Sequence, residues 1–378
     1  RFFEYYVTMV SWKVVVTAAA STAPNSLVGA ILSYSYRISV CSKPTSSRLI
    51  AVATSSTRTF ASNIRRNTAV RMSSSTSSDN AETIRVALLQ FRVTEDKEKN
   101  LETARDFLLR AKNQNAKLAV LPEIWNSPYA TSAFAEYAEE IPNNESDHSP
   151  SVSFLMQSAK DLKMWIVGGS IPEKKISTLD KVHYYNTCII CNPEGEIVAK
   201  HRKVHLFDID VPNKITFRES DTLTGGSTIT TFDAFGVKIG IGICYDIRFP
   251  ELSQCMVKRG CRILVFPGAF NLVTGPAHWE LLQRARAVDG QCFVLTASPA
   301  RTTTTDSHNK YPPYYAWGHS TAINPWGEVI ATCDENEHVV ICDLDMTKVE
   351  EMRQGIPTSM QKRTDLYELK DLEAISQK

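Results

Sequence analysis

The feature that most constrains the fold is the junction at Cys244, where an apolar run ends on a cysteine and a helix begins within a turn. Residues 237–243 predict a buried strand, and Pro250 suits the first turn of a helix. A side chain at such a turn lies near unpaired helix N–H groups, which favour a thiolate and can bind an oxyanion. The pattern indicates an α/β fold with Cys244 as a nucleophile. The alternative is a structural core cysteine, since free cysteines are often buried.

Two other predicted strands end on residues that can take part in catalysis. Residues 118–121 are apolar and lead through Pro122 to Glu123, and a strand at residues 196–199 leads to Lys203. Alone, each charge is typical of a solvated loop. Together they place a nucleophile, a proton carrier and a fixed cation at the carboxyl ends of strands, where α/β folds build their sites.

These three segments resemble the nitrilase, or carbon–nitrogen hydrolase, superfamily, and the resemblance covers about residues 83–370. It implies a catalytic triad of Glu123, Lys203 and Cys244 that needs no metal or cofactor. It also implies a four-layer α-β-β-α sandwich that assembles as a homodimer or a higher homo-oligomer.

Three stretches, residues 207–220, 267–280 and 297–301, look like the omega-amidase branch of that superfamily. The branch implies hydrolysis of the ω-amide of 2-oxoglutaramate or 2-oxosuccinamate. Deaminated-glutathione amidases share residues 275–280 but usually differ in the loop after Lys203, so they are the nearest alternative. A nitrilase or an N-carbamoyl amidohydrolase is more distant, and a non-catalytic scaffold would have no need of these residue types at three strand ends.

Amide hydrolysis requires a nucleophile, a proton carrier and stabilisation of an oxyanion. Buried beside Cys244, Glu123 would have a raised pKa and could carry the thiol proton to the leaving nitrogen. Lys203 would stabilise the oxyanion together with the backbone N–H of Tyr245.

Further residues of the site follow from the resemblance. Glu219 matches a second glutamate near the lysine, although a solvated charge is the alternative. Tyr129 and Thr274 are expected to line the same region, and residues 278–280 to pack and cap their helix.

Arg248, four residues after the nucleophile, is the expected reader of the substrate carboxylate, because a guanidinium can hydrogen-bond a carboxylate through two N–H groups. The alternative is a structural ion pair with Asp246 or Glu251.

Composition is that of a globular protein, with 43% hydrophobic and 22% charged residues among 378. The net charge of +1 argues against a nucleic-acid-binding protein. Nine cysteines fit no secreted framework and indicate a reducing compartment. Cys188 and Cys191 are predicted on opposite faces of one strand as core residues, and no histidine spacing suggests a metal site.

Residues 1–80 differ from the rest: they carry nine basic residues against two acidic ones and are rich in serine, threonine and alanine. This composition predicts a chloroplast transit peptide, or less favourably a mitochondrial one. A disordered tail without targeting function is an alternative, and translation from Met72 would leave the protein in the cytoplasm. No apolar run reaches the roughly 18 residues of a membrane span.

Strands and helices are predicted to alternate through the remaining chain. Strands are predicted at residues 84–91, 118–121, 165–168, 182–191, 196–200, 237–243, 262–266 and 292–297; helices are predicted at 96–112, 151–162, 251–258 and 277–289. The polar loops 143–150 and 302–315 are expected near the entrance of the site.

Overall fold

The computed structural model describes residues 3–9, 12–18, 36–40, 83–141, 149–302 and 310–373. Its first compact unit, Arg1–Thr76, contains strands β1 (Phe3–Met9), β2 (Trp12–Ala18) and β3 (Tyr36–Val40), paired antiparallel in that order. The composition predicted a transit peptide here, with a disordered tail as the alternative, and the three strands are rich in valine and tyrosine, which favour extended backbone. Targeting by this segment stays a prediction. Residues 70–72, which precede a serine run and are the expected processing region of a transit peptide, lie outside the described residues.

The second unit, Ser77–Lys378, holds the remaining elements. Its strands are β4 (Thr83–Gln90), β5 (Leu118–Val120), β6 (Trp165–Val167), β7 (Ile171–Ile176), β8 (Val182–Cys191), β9 (Ile197–Arg202), β10 (Asp208–Val211), β11 (Ile215–Arg218), β12 (Thr230–Ala234), β13 (Val237–Ile241), β14 (Cys261–Val265), β15 (Phe293–Thr296), β16 (Thr321–Ile323), β17 (Val329–Thr332) and β18 (His338–Asp345). Its α-helices are α1 (Lys97–Asn113), α2 (Thr131–Tyr137), α3 (Pro150–Leu162), α4 (Pro250–Lys258), α5 (Gly275–Gly290) and α6 (Thr347–Gly355).

Apart from β10 and β11, which pair with each other, the described strands of this unit form two mixed sheets. The first has the order β18-β4-β5-β6-β8-β7, with β9 also paired to β8, and the second has the order β12-β13-β14-β15-β16-β17. Strands β4, β5 and β6 run parallel, as do β13, β14 and β15. Their carboxyl ends therefore lie at a common edge of each sheet, where polar side chains can meet.

Strand β4 shows how the layers arise from the sequence. Val86 and Leu88 point into a cluster that joins the two sheets, while Ala87 and Leu89 point into a second cluster with helices α1 and α3. Since successive side chains of a strand face opposite sides, a strand buried on both faces must be apolar throughout. Helices α4 and α5 cover the outer face of the second sheet. The predicted four-layer α-β-β-α sandwich is therefore confirmed.

Local predictions agree with the structure at several points. Cys188 belongs to the cluster between the sheets and Cys191 to the cluster beneath α1 and α3, as their spacing in β8 requires. The side chain of Asp96 accepts a hydrogen bond from Lys99 N at 3.1 Å and caps α1. Gly195 N donates to Asn192 O at 2.9 Å in the turn between β8 and β9.

The hairpin β10–β11 differs from the prediction, which treated residues 207–220 as a loop. Its two strands pair antiparallel with Asp208 opposite Arg218, and Asn213 has the left-handed φ of +59° in the connecting turn. Each strand is only four residues long and partly exposed, so hydrophobic periodicity carries little signal. The hairpin carries the chain from Lys203 to Glu219.

Among the helices that the structure describes, none is long and apolar enough to cross a bilayer.

Candidate active site

The three predicted catalytic residues follow strands of different parts of the sandwich and are all buried. Glu123 lies three residues beyond β5, Lys203 directly follows β9, and Cys244 lies three residues beyond β13. Glu123 and Lys203 are inaccessible and Cys244 is 4% exposed. Lys203 Nζ donates to Glu123 Oε1 at 2.9 Å, and the Cys244 thiol interacts electrostatically with both groups. The fold thus brings together residues that are up to 121 positions apart in the sequence.

Cys244 lies in a strained turn. Its φ is +46°, which is unusual for any residue except glycine, and the 3₁₀ turn Cys244–Arg248 leads directly into α4. Cys244 N donates to Pro267 O at 2.7 Å, and Ala269 N donates to the thiol sulfur at 3.4 Å. The predicted strand-to-helix junction is present, with a strand that ends two residues earlier than expected.

The preceding Gly242 is required by close packing at this turn. A Cβ atom there would lie 2.5 Å from the ring of Phe266. Glycine therefore lets β13 reach the turn without displacing the strand beside it.

Glu123 is held by three donors on one of its oxygens. Besides Lys203, Asn186 Nδ2 donates to Oε1 at 2.9 Å and Tyr129 OH donates at 3.3 Å. Oε2 has no nitrogen or oxygen donor among the described residues. Burial raises the pKa of Glu123 above its ordinary value, although the positive charge of Lys203 opposes that shift. A carboxylate with one unengaged oxygen and a raised pKa is suited to exchange protons.

Glu219 is a buried partner of the lysine. It accepts hydrogen bonds from Lys203 Nζ at 2.9 Å, Tyr129 OH at 2.9 Å and Phe207 N at 2.8 Å. The alternative of a solvated charge is therefore wrong, since its side chain is fully buried. Burial alone would lower the pKa of Lys203, but the carboxylates of Glu123 and Glu219 raise it above the ordinary value, so the ammonium stays charged.

Tyr129 and Tyr314 pack against each other beside Glu123. The rings of Tyr129 and Tyr314 lie 4.4 Å apart, and burial raises the pKa of both phenols well above the ordinary value. With Glu123 they line a small cavity of about 50 Å³, to which Thr302 and Tyr311 of the predicted entrance loop also contribute. Neither Cys244 nor Lys203 is among the described residues that line it. Residues 303–309 of this loop and 142–148 of the other lie outside the described residues.

Arg248 is half-buried and its guanidinium has no carboxylate partner among the described residues. The expected alternative, an ion pair with Asp246 or Glu251, is not formed. Arg248 Nη1 contacts His278 Nδ1 at 3.2 Å, and Cζ lies 4.7 Å from the ring centroid of Phe270. Burial lowers the pKa of the guanidinium from its ordinary value. A guanidinium without a carboxylate partner, close to the rings of Tyr245 and Phe270, is suited to bind an anion.

The remaining predicted residues lie around these groups. The ring of Tyr245 packs against Phe207 with centroids 5.2 Å apart and lies 5.6 Å from Arg248 Cζ. Thr274, at the start of α5, donates to Asn271 Oδ1 at 3.2 Å, and among the described residues it makes no hydrogen bond to the three catalytic candidates.

Sequence reasoning missed the role of Asn186, which lies in the middle of β8 and holds Glu123. Nothing in the sequence around it distinguishes it from other polar strand residues, because the contact depends on which strands are neighbours. Asp246, expected only as an alternative partner for Arg248, is fully buried and contacts two histidines.

The sequence profile of the family described as Carbon-nitrogen hydrolase matches residues 85–354, and the chain belongs to this family. It shares the α/β fold of the nitrilase superfamily. The solved structure of Nit3 from Saccharomyces cerevisiae, a member of branch 10 of that superfamily, is 43% identical with a TM-score of 0.65, covering 74% of this chain and 97% of Nit3.

Curated relatives are similar over most of their length. Omega-amidase NIT2 of Bos taurus is 51% identical over 287 residues, which is 76% of this chain and 98% of that protein. The chloroplastic omega-amidase of Arabidopsis thaliana is 49% identical over 293 residues, which is 78% of this chain and 76% of that protein.

Proposed function

We propose that this protein is an omega-amidase, which hydrolyses the ω-amide of a short 2-oxo dicarboxylic acid monoamide to the dicarboxylate and ammonia. The observation that carries the proposal is the fully buried contact between Lys203 and Glu123 beside the strained Cys244 turn. Burying a pair of charged groups costs free energy unless hydrogen bonds from other groups satisfy them. Here the buried pair lies beside a nucleophile, which is typical of a functional site. The similarity to omega-amidases over nearly the full length of the animal relatives supports the substrate class.

Acylation begins with transfer of the Cys244 proton to the carboxylate of Glu123. Burial raises the pKa of the thiol well above its ordinary value, so the resting group is neutral and must lose its proton during attack. Sulfur then bonds to the amide carbon, and the oxyanion is stabilised by Lys203 and the backbone N–H of Tyr245. Glu123 returns the proton to nitrogen as the carbon–nitrogen bond breaks. Without this protonation the thiolate would leave in preference to the amine.

Deacylation repeats the proton transfers with water. Glu123 takes a proton from water as its oxygen attacks the thioester carbon, and Lys203 again stabilises the oxyanion. The carbon–sulfur bond breaks, the thiolate regains its proton from Glu123, and the carboxylic acid is released. All steps use groups of this chain, so the reaction as proposed needs no cofactor.

The decisive assay is ammonia release from 2-oxoglutaramate, 2-oxosuccinamate and deaminated glutathione, measured side by side with purified protein. We expect kcat/KM for one of the first two substrates to be the highest. A preference for deaminated glutathione would assign the chain to the neighbouring amidase activity, and no ammonia from any amide would contradict the enzymatic proposal.

Arg248→Lys is expected to lower kcat/KM for 2-oxoglutaramate by about 10- to 150-fold, which corresponds to about 1.5–3 kcal/mol for a charged hydrogen bond. The reason is that an ammonium cannot reproduce the paired hydrogen bonds of a guanidinium to the distal carboxylate. Turnover of a simple aliphatic amide that lacks a carboxylate should change much less. Equal losses for both substrates would show that Arg248 supports the turn instead.

We infer that residues 1 to about 71 direct import into the chloroplast, because they are basic, poor in acidic residues and rich in serine. The chloroplastic relative from Arabidopsis thaliana supports this destination. A fluorescent protein fused behind these residues is expected to accumulate in plastids of plant cells. An evenly cytosolic signal would contradict the inference, and a mitochondrial signal would change the organelle.

We further propose that the folded unit assembles as a homodimer, which light scattering of the purified protein would test.

A further inference from the structure

Asp246 lies two residues after the nucleophile, in the 3₁₀ turn Cys244–Arg248, and its side chain is inaccessible to solvent. Burying a carboxylate is costly unless hydrogen bonds satisfy it. Burial alone would raise its pKa, yet hydrogen bonds from His201 and His205 hold the pKa of Asp246 well below its ordinary value. The group is therefore a charged acceptor inside the protein.

One side of this carboxylate holds the nucleophile turn. Asp246 Oδ2 accepts a hydrogen bond from Ile243 N at 2.9 Å, the residue immediately before Cys244. Asp246 N in turn donates to Ile243 O at 3.0 Å. These bonds close the turn that gives Cys244 its left-handed backbone.

The same carboxylate also holds the segment on both sides of Lys203. His205 donates to Asp246 Oδ1 through its backbone N at 2.9 Å and contacts it through Nδ1 at 2.8 Å. His201 Nε2 contacts Oδ2 at 3.2 Å, and Val204 N lies 3.5 Å from the same oxygen. Four contacts thus converge on Asp246 from residues within two positions of the lysine.

The two histidines are themselves fixed by neighbours. His201 is fully buried and its Nδ1 contacts Thr230 Oγ1 on β12 at 3.0 Å. The ring of His205 stacks on Phe249 with centroids 3.6 Å apart and an interplanar angle of 9°. Each histidine is therefore held by a second contact besides Asp246.

We infer that Asp246 is a positioning residue that fixes Lys203 relative to Cys244. Lys203 follows β9 of the first sheet, and Cys244 lies just beyond β13 of the second sheet. Asp246 does not contact the reacting atoms. Its role rests on the proposed function, because the distance between cation and nucleophile matters only if the lysine stabilises the oxyanion formed at Cys244.

Asp246→Asn is expected to lower kcat about 100-fold, since a displacement of about 1 Å in a reacting group can cost that factor. The side-chain amide of asparagine would place an N–H donor where the aspartate oxygen accepts hydrogen bonds from the backbone and the histidines, so some of these bonds would be lost. KM is expected to change less than about threefold, because Asp246 does not touch substrate. The readouts are kcat, KM and the pH dependence of kcat/KM on the best amide substrate.

The pH profile separates positioning from general damage. Glu123 is faced by Lys203, Glu219, Cys244, Tyr129 and Tyr314, and of these charged or titratable groups only Lys203 lowers its pKa by charge. If Asp246→Asn lets the lysine move away, the acid limb of kcat/KM, which reports ionisation of Glu123, should move to higher pH. A loss of kcat with an unmoved acid limb would overturn the inference.

A pair of variants at His201 provides a second test if Asp246→Asn does not fold. His201→Gln keeps an N–H near the position of Nε2 and should retain most of the activity, whereas His201→Leu removes it and should reproduce the upward shift of the acid limb. Equal activity of the two would also overturn the inference.

The matched control is Asp343→Asn, which makes the same change in a partly exposed carboxylate paired with Arg85 at 2.8 Å on the edge strand β18. It should leave kcat and the pH profile unchanged. Wild-type protein that releases no ammonia from any amide would contradict the proposed function itself, which is distinct from failure of the positioning role.

Discussion

Cys244→Ala is expected to reduce ammonia release by about 10⁵-fold or more while the protein remains folded. Removing a catalytic nucleophile costs roughly this much, because no other group can form the covalent intermediate. The fold should persist since alanine keeps the Cβ atom and fits the space of a nearly buried thiol. Turnover is measured by ammonia release and folding by thermal unfolding. Mass spectrometry of wild type during turnover should show the acyl group on the peptide that contains Cys244.

Cys255→Ala and Cys261→Ala serve as matched controls for the loss of a thiol. Cys255 lies on α4 and Cys261 in β14, and both are buried in the core. Each variant should keep most of the activity, with some loss of stability from the space left behind. If a thiol-reactive inhibitor inactivated Cys244→Ser as fast as wild type, the assignment of the nucleophile would be wrong.

The strand-end positions of the site were predictable because the sequence carries a local signal for each. An apolar run marks the strand, and the next few residues must lie at its carboxyl end. Glu123, Lys203 and Cys244 each follow such a run in the sequence, and each lies just beyond a strand in the structure. The strand pattern also predicted that Cys188 and Cys191 would face different layers, since the two-residue period of a strand holds wherever the strand is regular.

What the sequence could not predict is the pairing of distant segments. Asn186 reaches Glu123 because β6 lies between β5 and β8 and pairs with both, and this strand order has no local marker in the sequence. Arg248 meets His278 because α5 begins beside the turn that follows β13, thirty residues away in the chain. Burial is likewise a property of the whole fold, so the state of Glu219 could only be decided from the structure.

Lys203→Met is expected to lower kcat by about 10³-fold or more and to lower the free energy of unfolding by about 3–5 kcal/mol near pH 8. The first effect follows from loss of oxyanion stabilisation. The second follows because Glu123 and Glu219 would both remain buried after losing the cation that lies 2.9 Å from each. Breaking a buried ion pair from one side leaves uncompensated charge, which costs far more than losing an exposed pair.

The matched control is Lys238→Met, which removes a partly exposed cation on β13 that lies 2.8 Å from the exposed Asp233 on β12. An exposed pair contributes about 0–1 kcal/mol, so this variant should be nearly as stable as wild type. Near-normal turnover by this variant would show that the loss in Lys203→Met is specific to the buried site.

The stability defect of Lys203→Met should depend on pH in a defined direction. Burial already raises the pKa of Glu123, and loss of the lysine would raise it further. A carboxyl whose pKa is higher in the folded than in the unfolded protein lowers the stability of the fold as pH rises above the unfolded pKa of about 4.3. This loss of stability continues until pH reaches the folded pKa. Urea unfolding should therefore show a smaller difference from wild type at pH 5 than at pH 8. A difference that stays constant between these values would mean that Lys203 stabilises the core by packing of its carbon chain and not by its charge.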